Sequence, residues 1–213
     1  MLPGENTGYP HFWRSFCNKE HKFNNMQWSI IWNGRENDSR EHCLINSNDS
    51  GIKVDSVIIG KNESGIYRVE YALLLDQHWK TISLTASSLH NNIVQHLEYT
   101  SDGQGNWTDK GQVVERLQGC IDIDLPLTPF TNSLPVNRLN LAVGAESDVR
   151  VVYVDLLSQK ISPLTQKYKR ISADEYLYQN VPNDFEAVIK TDHEGFVLDY
   201  PELFWQSASS RLE

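Results

Sequence analysis

From residue 65 onward the apolar positions fall on alternate residues. In "GIYRVEYALLLD" (65–76), Tyr67, Val69, Tyr71, Leu73 and Leu75 share one face, while Arg68 and Glu70 begin the other. A period of two over this length predicts a strand with one buried face. "DQHW" follows as a turn, and "KTISLTA" restarts the pattern with Ile82 and Leu84 on one side. "NIVQHLEYT" continues it through Ile93, Gln95, Leu97 and Tyr99. Asp102-Gly103 in "SDGQGNW" is a hairpin signal between apolar flanks. Further strands are predicted at "VVERLQGCIDIDL", "DVRVVYVDL", "QKYKRI", "EYLYQ", "FEAVIKTD" and "FVLDY". The pattern gives about ten to twelve strands on short turns with few, short helices. The expected fold is all-β, an antiparallel curved sheet that is barrel-like or a half-barrel.

The pattern is weaker before residue 52. Residues 1–24 mix Gly, Pro, His and Asn without a period, although "HFWRSFCNKEH" can form a short helix turning Phe12, Phe16 and Trp13 inward. Residues 33–51 read as polar loop around one apolar piece, Cys43-Leu44-Ile45. The organisation expected is an irregular extension over 1–24, a single β domain over 25–206 and a tail over 207–213. One internal echo stands out. "VEYALLLDQHW" and "FEAVIKTDHEGF" each run apolar strand, Asp, two polar residues and an aromatic or Gly-aromatic restart. They are either the mark of a duplicated half-barrel or two ordinary hairpins.

Charge narrows the classes of partner. The 213 residues carry a formal net charge of −9. That opposes a nucleic-acid surface, which needs clustered Lys and Arg, and electrostatic docking on an anionic leaflet. Three widely spaced cysteines, Cys17, Cys43 and Cys120, make neither a disulfide framework nor a zinc set and read as buried reduced thiols. The N-terminus has no basic start followed by an apolar run, and no window approaches the roughly 18 apolar residues of a membrane helix. The expectation is a cytoplasmic protein, not an integral membrane one. Asn-x-Ser/Thr occurs at Asn37, Asn48, Asn62 and Asn106, which carries no meaning without secretion.

Candidate chemistry gathers in "GCIDIDLPLTPFTNSLP" (119–135). On a strand, Asp122 and Asp124 point one way and Ile121, Ile123 and Leu125 the other. The two carboxylates can hold a cation or divide acid and base work, or they simply mark the wet side of a strand. Pro126, Pro129 and Pro135 lack N–H donors and push their predecessors toward extended geometry, which predicts a stiff extended connection. Thr128, Thr131 and Asn132 then offer donors and acceptors from a backbone that loses little entropy on binding, or they satisfy local turns. Arg138 can pair with either aspartate or bind a ligand. None of the seven histidines has metal-ligand spacing, and loop or surface positions are expected for all of them. No phosphate loop, dinucleotide turn or nucleophile elbow occurs, so neither metal nor cofactor is expected. Trp79, Trp107, Tyr168 and Tyr200 have flat faces suited to stacking on a sugar or acyl chain, or they are core.

The run "GCIDIDLPLTPFTNSLPVNRLNL" resembles the central signature of a bacterial family described as putative glycolipid-binding. "GIYRVEYALLLDQHW", "DGQGNW", "QKYKRI", "EYLYQ" and "FEAVIKTDHEGFVLDYP" resemble its other segments, so the likeness covers about 27–206. The chain departs from the pattern at Asn137, Lys80-Thr81-Ile82 and Trp205-Gln206, where relatives tend to carry further basic residues. The resemblance implies a curved half-barrel akin to bacterial lipoprotein carriers, with an apolar concavity that holds an acyl chain of a lipid or glycolipid. Asp122, Asp124, Thr128, Thr131, Asn132 and Arg138 would form its polar rim, joined by Gln166 and Tyr168 of the matching "QKY". Two other readings stay open. One is a hydrolase or transferase acting on a sugar or lipid ester through Asp122 or Asp124. The other is a non-catalytic structural or interaction module. Nothing in the sequence indicates an oligomeric state.

Overall fold

The computed structural model describes residues 26–36, 38–182 and 184–212. The first half is a meander of β1 (Met26–Gly34), β2 (Ser39–Asn48), β3 (Gly51–Asn62), β4 (Gly65–Leu75), β5 (Thr81–His90), β6 (Ile93–Ser101), β7 (Trp107–Asp109) and β8 (Gln112–Val113). A central segment follows, containing a 3-10 turn at Glu115–Leu117, the short β9 (Asp122–Asp124), a second 3-10 turn at Phe130–Asn132 and α1 (Ser133–Leu139). The second half is β10 (Glu146–Asp155), β11 (Lys160–Arg170), β12 (Glu175–Val181), β13 (Glu186–Thr191), β14 (Val197–Tyr200) and β15 (Phe204–Leu212). Among the described residues, all fifteen strands belong to one curved open sheet, not a closed barrel. Every neighbour is antiparallel except β9, which lies parallel to β10. The two meanders are sewn together where β1 pairs with β15, from Gln27↔Leu212 to Gly34↔Phe204. Residues 207–212, expected as a tail, therefore continue β15 along this seam.

Because β8 and β9 form the two outer edges, eight residues of chain (114–121) connect them. A chain spans at most about 3.6 Å per residue, so the sheet must curl until its edges approach. The connection is anchored as it crosses: Gly119 N donates to Gly105 O at 2.8 Å, and Trp107 Nε1 donates to Cys120 O at 2.6 Å. Leu117, Cys120, Ile123, Leu125, Phe130 and Leu134 then pack with Trp32, Val54, Val69 and Leu73 in one buried cluster. Burial of side chains of this size contributes about 1.5–3 kcal/mol each. The concave face that the resemblance leaves open for an acyl chain is packed, in this half, by the chain's own central segment. A second cluster, including Val151, Tyr168, Tyr178, Ile189, Tyr200 and Phe204, lines the other half.

Several expectations change on contact with the structure. Within residues 33–51, expected as loop, 33–34 end β1 and 39–48 form β2. Their alternation is hidden because inward positions include the polar Ser39, Glu41 and Ser47 as well as Cys43 and Ile45. "VVERLQGCIDIDL" is not one strand; a 3-10 turn divides β8 from β9. The proline-punctuated run is not extended, because it winds into a 3-10 turn and α1. Pro135 sits in the first turn of α1, where an N–H has no intrahelical partner to lose. Nor are Asp122 and Asp124 on a wet face: Asp122 is fully buried. The short helix expected around "HFWRSFCNKEH" lies outside the described residues.

Hairpin turns account for several polar residues that look like motifs. Asn48 Oδ1 and Asn62 Oδ1 accept the N–H of Ser50 and Ser64, at 2.8 and 3.0 Å, so both Asn-x-Ser sites hold tight turns. The internal echo is a turn of repeated geometry. Asp76 Oδ1 accepts from His78 N and Lys80 N, and Asp192 Oδ1 accepts from Glu194 N and Phe196 N. The third residue after each Asp is left-handed: Trp79 at φ 64° and Gly195 at φ 81°.

Candidate functional site

The residues singled out in the sequence come together, but inside the protein. Asp122 takes the guanidinium of Arg138 in two contacts, from Nε at 2.9 Å to Oδ1 and from Nη2 at 2.6 Å to Oδ2. Asp124 accepts from Gln166 Nε2 at 2.7 Å and from Thr131 Oγ1 at 3.4 Å. Thr131 Oγ1 also accepts the Leu125 N–H, and Thr128 Oγ1 accepts the Phe130 N–H. Asn132 Nδ2 donates to Tyr168 Oη at 2.9 Å. Asp122, Thr128, Thr131, Asn132, Gln166 and Tyr168 are all buried. Instead of standing at an open rim, these groups tie the central segment to itself and to β11.

One member of this polar interior is not among the residues that the sequence motifs single out. Glu41 on β2 is 3% exposed and accepts from Ser56 Oγ and Tyr71 Oη, each at 2.7 Å. Tyr71 Oη also reaches Thr128 Oγ1 at 3.3 Å, which links β2 and β4 to the central segment. Glu41 Oε2 has no partner among the described residues. Burial pushes the Glu41 carboxyl up to about 6 against the pull of its hydroxyl partners, and burial does the same to Asp124, also to about 6. Asp122 is raised by burial as well, with Arg138 opposing the shift. The available signal for Glu41 was its place two residues before Cys43 and four before Ile45, on the face that β2 buries.

A cleft of about 620 Å³ opens where the two halves meet. Its walls are the turn at 76–80, the turn at 192–196, the C-terminal end of α1 and the ends of β1–β3. Trp28, Ile45, Ile52, Trp79, Val136 and Phe196 supply an apolar floor, with Phe196 in edge contact with Trp28 at 5.4 Å and Trp79 at 6.1 Å between ring centroids. Ser47, Asn137, Arg138, Arg170, Asp192 and Glu194 supply polar groups around it. Of the eight predicted site residues, Arg138 is on this wall; Asp122 acts there only by holding it. Of the four aromatic stacking candidates, Trp79 is on the wall, whereas Trp107, Tyr168 and Tyr200 are buried within the protein. The repeated Asp turn was the sequence feature that could have found this place. Gly195 stands there at a positive φ that favours glycine, close against the end of the Asn137 side chain.

A wider groove of about 810 Å³ involves β2–β6. Its carboxylates include Asp55 and Glu70, which already pair with Lys53 and Arg68. Among the described residues no group of three His, Cys, Asp or Glu is placed to hold a metal ion, and no helix is long and apolar enough to cross a membrane. Cys43 and Cys120 are buried free thiols. His42, His78, His96 and His193 are exposed and His90 is half-buried, whereas His11 and His21 lie outside the described residues.

The described residues thus form an open sheet of fifteen strands packed around its own central segment, with an amphiphilic cleft between its halves. Residues 29–206 match the family described as "Putative glycolipid-binding", and the chain belongs to that family. A crystal structure of a DUF1089 family protein from Pseudomonas aeruginosa is similar to this chain, with 28% identity and a TM-score of 0.71 over 95% of this chain and 99% of that one. No curated protein matches this chain.

Proposed function

We propose that the protein binds a glycolipid or related lipid non-covalently, in the cleft between the 76–80 and 192–196 turns. The observation that carries this reading is the two-sided wall of the cleft. Tryptophan and phenylalanine rings with aliphatic neighbours form one part, and a serine, an asparagine, two arginines and two carboxylates form the other. That mixture suits an amphiphile, and the volume falls within the roughly 300–1,000 Å³ of small-molecule sites. Each methylene buried on such a floor contributes about 0.8 kcal/mol, so affinity needs no catalytic group. Family membership supports the same class of ligand. The TPFTN segment serves this site indirectly, by fixing α1 and with it Arg138.

The hydrolase or transferase reading loses its two proposed carboxylates from the site: Asp122 is closed by Arg138, and Asp124 is not on the cleft wall. The binding reading is tested with protein purified from cells without detergent. Native mass spectrometry is expected to find a lipid-sized adduct, and added glycolipid is expected to raise the melting temperature. Protein that emerges bare and whose melting temperature no glycolipid changes contradicts it.

A further inference from the structure

Resting on that reading, we infer that the cleft is a subsite for an uncharged sugar or polyol head group, stacked on Trp79, and that it discriminates against anionic heads. The first observation is charge. Arg138 is the cation that an anionic head would seek, yet Asp122 beneath it is fully buried and neutralises it through two close contacts. Arg170 directs all three guanidinium nitrogens at the main-chain carbonyls of Ser172, Leu141 and Ala173. Two further carboxylates, Asp192 and Glu194, stand on the same wall, and Glu194 is paired with Arg211 at 3.1 Å. Two arginines thus face two carboxylates on the wall, with Asp122 beneath Arg138, so the wall carries no excess positive charge to draw a phosphate or carboxylate.

The second observation is hydrogen-bonding capacity of both signs. Arg138 Nη1 is a donor with no bond among the described residues, while Asn137 Oδ1 and Asp192 Oδ2 are acceptors with none. Ser47 Oγ is 4% exposed, lines the cleft and has no partner among the described residues. A buried hydroxyl left without a partner is destabilising, and a ligand hydroxyl toward which the Ser47 side chain turns would relieve it. A ring of hydroxyls gives and accepts at once; an anion only accepts.

The third observation is Trp79 itself. Its backbone is left-handed at φ 64°, a conformation costly for a bulky residue, and the equivalent position of the matching turn holds Gly195. A half-buried indole kept at a position that favours glycine offers a flat apolar face to the aliphatic side of a sugar ring.

The test compares octyl glucoside with octyl glucuronide, which differ in head charge and share a chain. Both are titrated calorimetrically below their micelle concentrations at pH 8 and low salt. The neutral glycoside is expected to bind at least about tenfold tighter, a difference of about 1.4 kcal/mol. Ser47→Ala is expected to weaken glucoside binding about tenfold without lowering the melting temperature, and Trp79→Gly is expected to weaken it further. Equal or tighter binding of the glucuronide overturns this inference and leaves the lipid-binding reading standing. Unchanged glucoside affinity in Ser47→Ala overturns the subsite as drawn, and no binding of either amphiphile overturns both readings.

Discussion

Single residues decide how this protein responds to pH. Glu41 has its ordinary value of 4.5 raised to about 6 by burial. The folded state therefore holds its proton more tightly than the unfolded chain does. The resulting stabilisation is fully present below about pH 4.5 and lost as pH rises through about 6, and Asp124, raised in the same direction, acts alike. Urea unfolding is expected to show greater stability at pH 5 than at pH 7.5. Glu41→Gln, which removes the buried charge, is expected to flatten that slope and to gain about 2 kcal/mol at pH 7.5; an unchanged slope contradicts the burial argument. Arg138→Ala is the opposite case. It leaves the fully buried Asp122 carboxylate alone, and a loss of about 3–5 kcal/mol is expected in the same measurement. At this scale the sequence was half informative. Asp122, Asp124, Thr128, Thr131, Asn132 and Arg138 were legible as a dense specific cluster, but residue identity does not encode burial. The same groups that suit a ligand rim also suit an interior that must satisfy its backbone. Glu41 was missed because a carboxylate inside a strand breaks the very alternation used to find the strand.

The elements show where periodicity works and where it stops. β4, β5, β6 and β10–β14 were legible because apolar and polar positions alternate along them. β2 was not, owing to its polar inward residues, and neither was β15, whose side chains beyond Phe204 are mostly exposed and present no apolar face. The central segment misled for a different reason. Proline restricts an extended strand and the first turn of a helix in similar ways, so three prolines cannot distinguish a ribbon from the start of a seven-residue helix. Once folded, that segment relies on hydroxyl and amide ties. Thr131→Val leaves the buried Leu125 N–H without its acceptor, and a loss of about 1–3 kcal/mol is expected by denaturant unfolding. Amphiphile affinity is expected to change little, because Thr131 is not on the cleft wall. A Thr131→Val protein of full stability but impaired binding would restore the segment to a direct ligand role.

At the scale of the whole molecule, the seam between β1 and β15 joins two meanders into one sheet, and the cleft opens beside the junction. Removing residues 207–213 leaves only the pairs from Trp32↔Gln206 to Gly34↔Phe204. Scanning calorimetry of that truncation is expected to show a melting temperature lower by about 5 °C; an unchanged transition would mean that the seam does not bind the halves together. The half-barrel character was legible from strand number and turn spacing. The filling of the first half's concavity was not, because it depends on the central segment folding back across the sheet. That filling moves the proposed ligand from the middle of the sheet to the junction of its halves, and the location is the account's central claim. Two-dimensional NMR of the protein titrated with octyl glucoside tests it most directly. The claim predicts shifts concentrated at Ser47, the Trp79 indole, Asn137 and Gly195; shifts concentrated instead along the β2–β6 groove, at His42, Glu70 and His96, would contradict it.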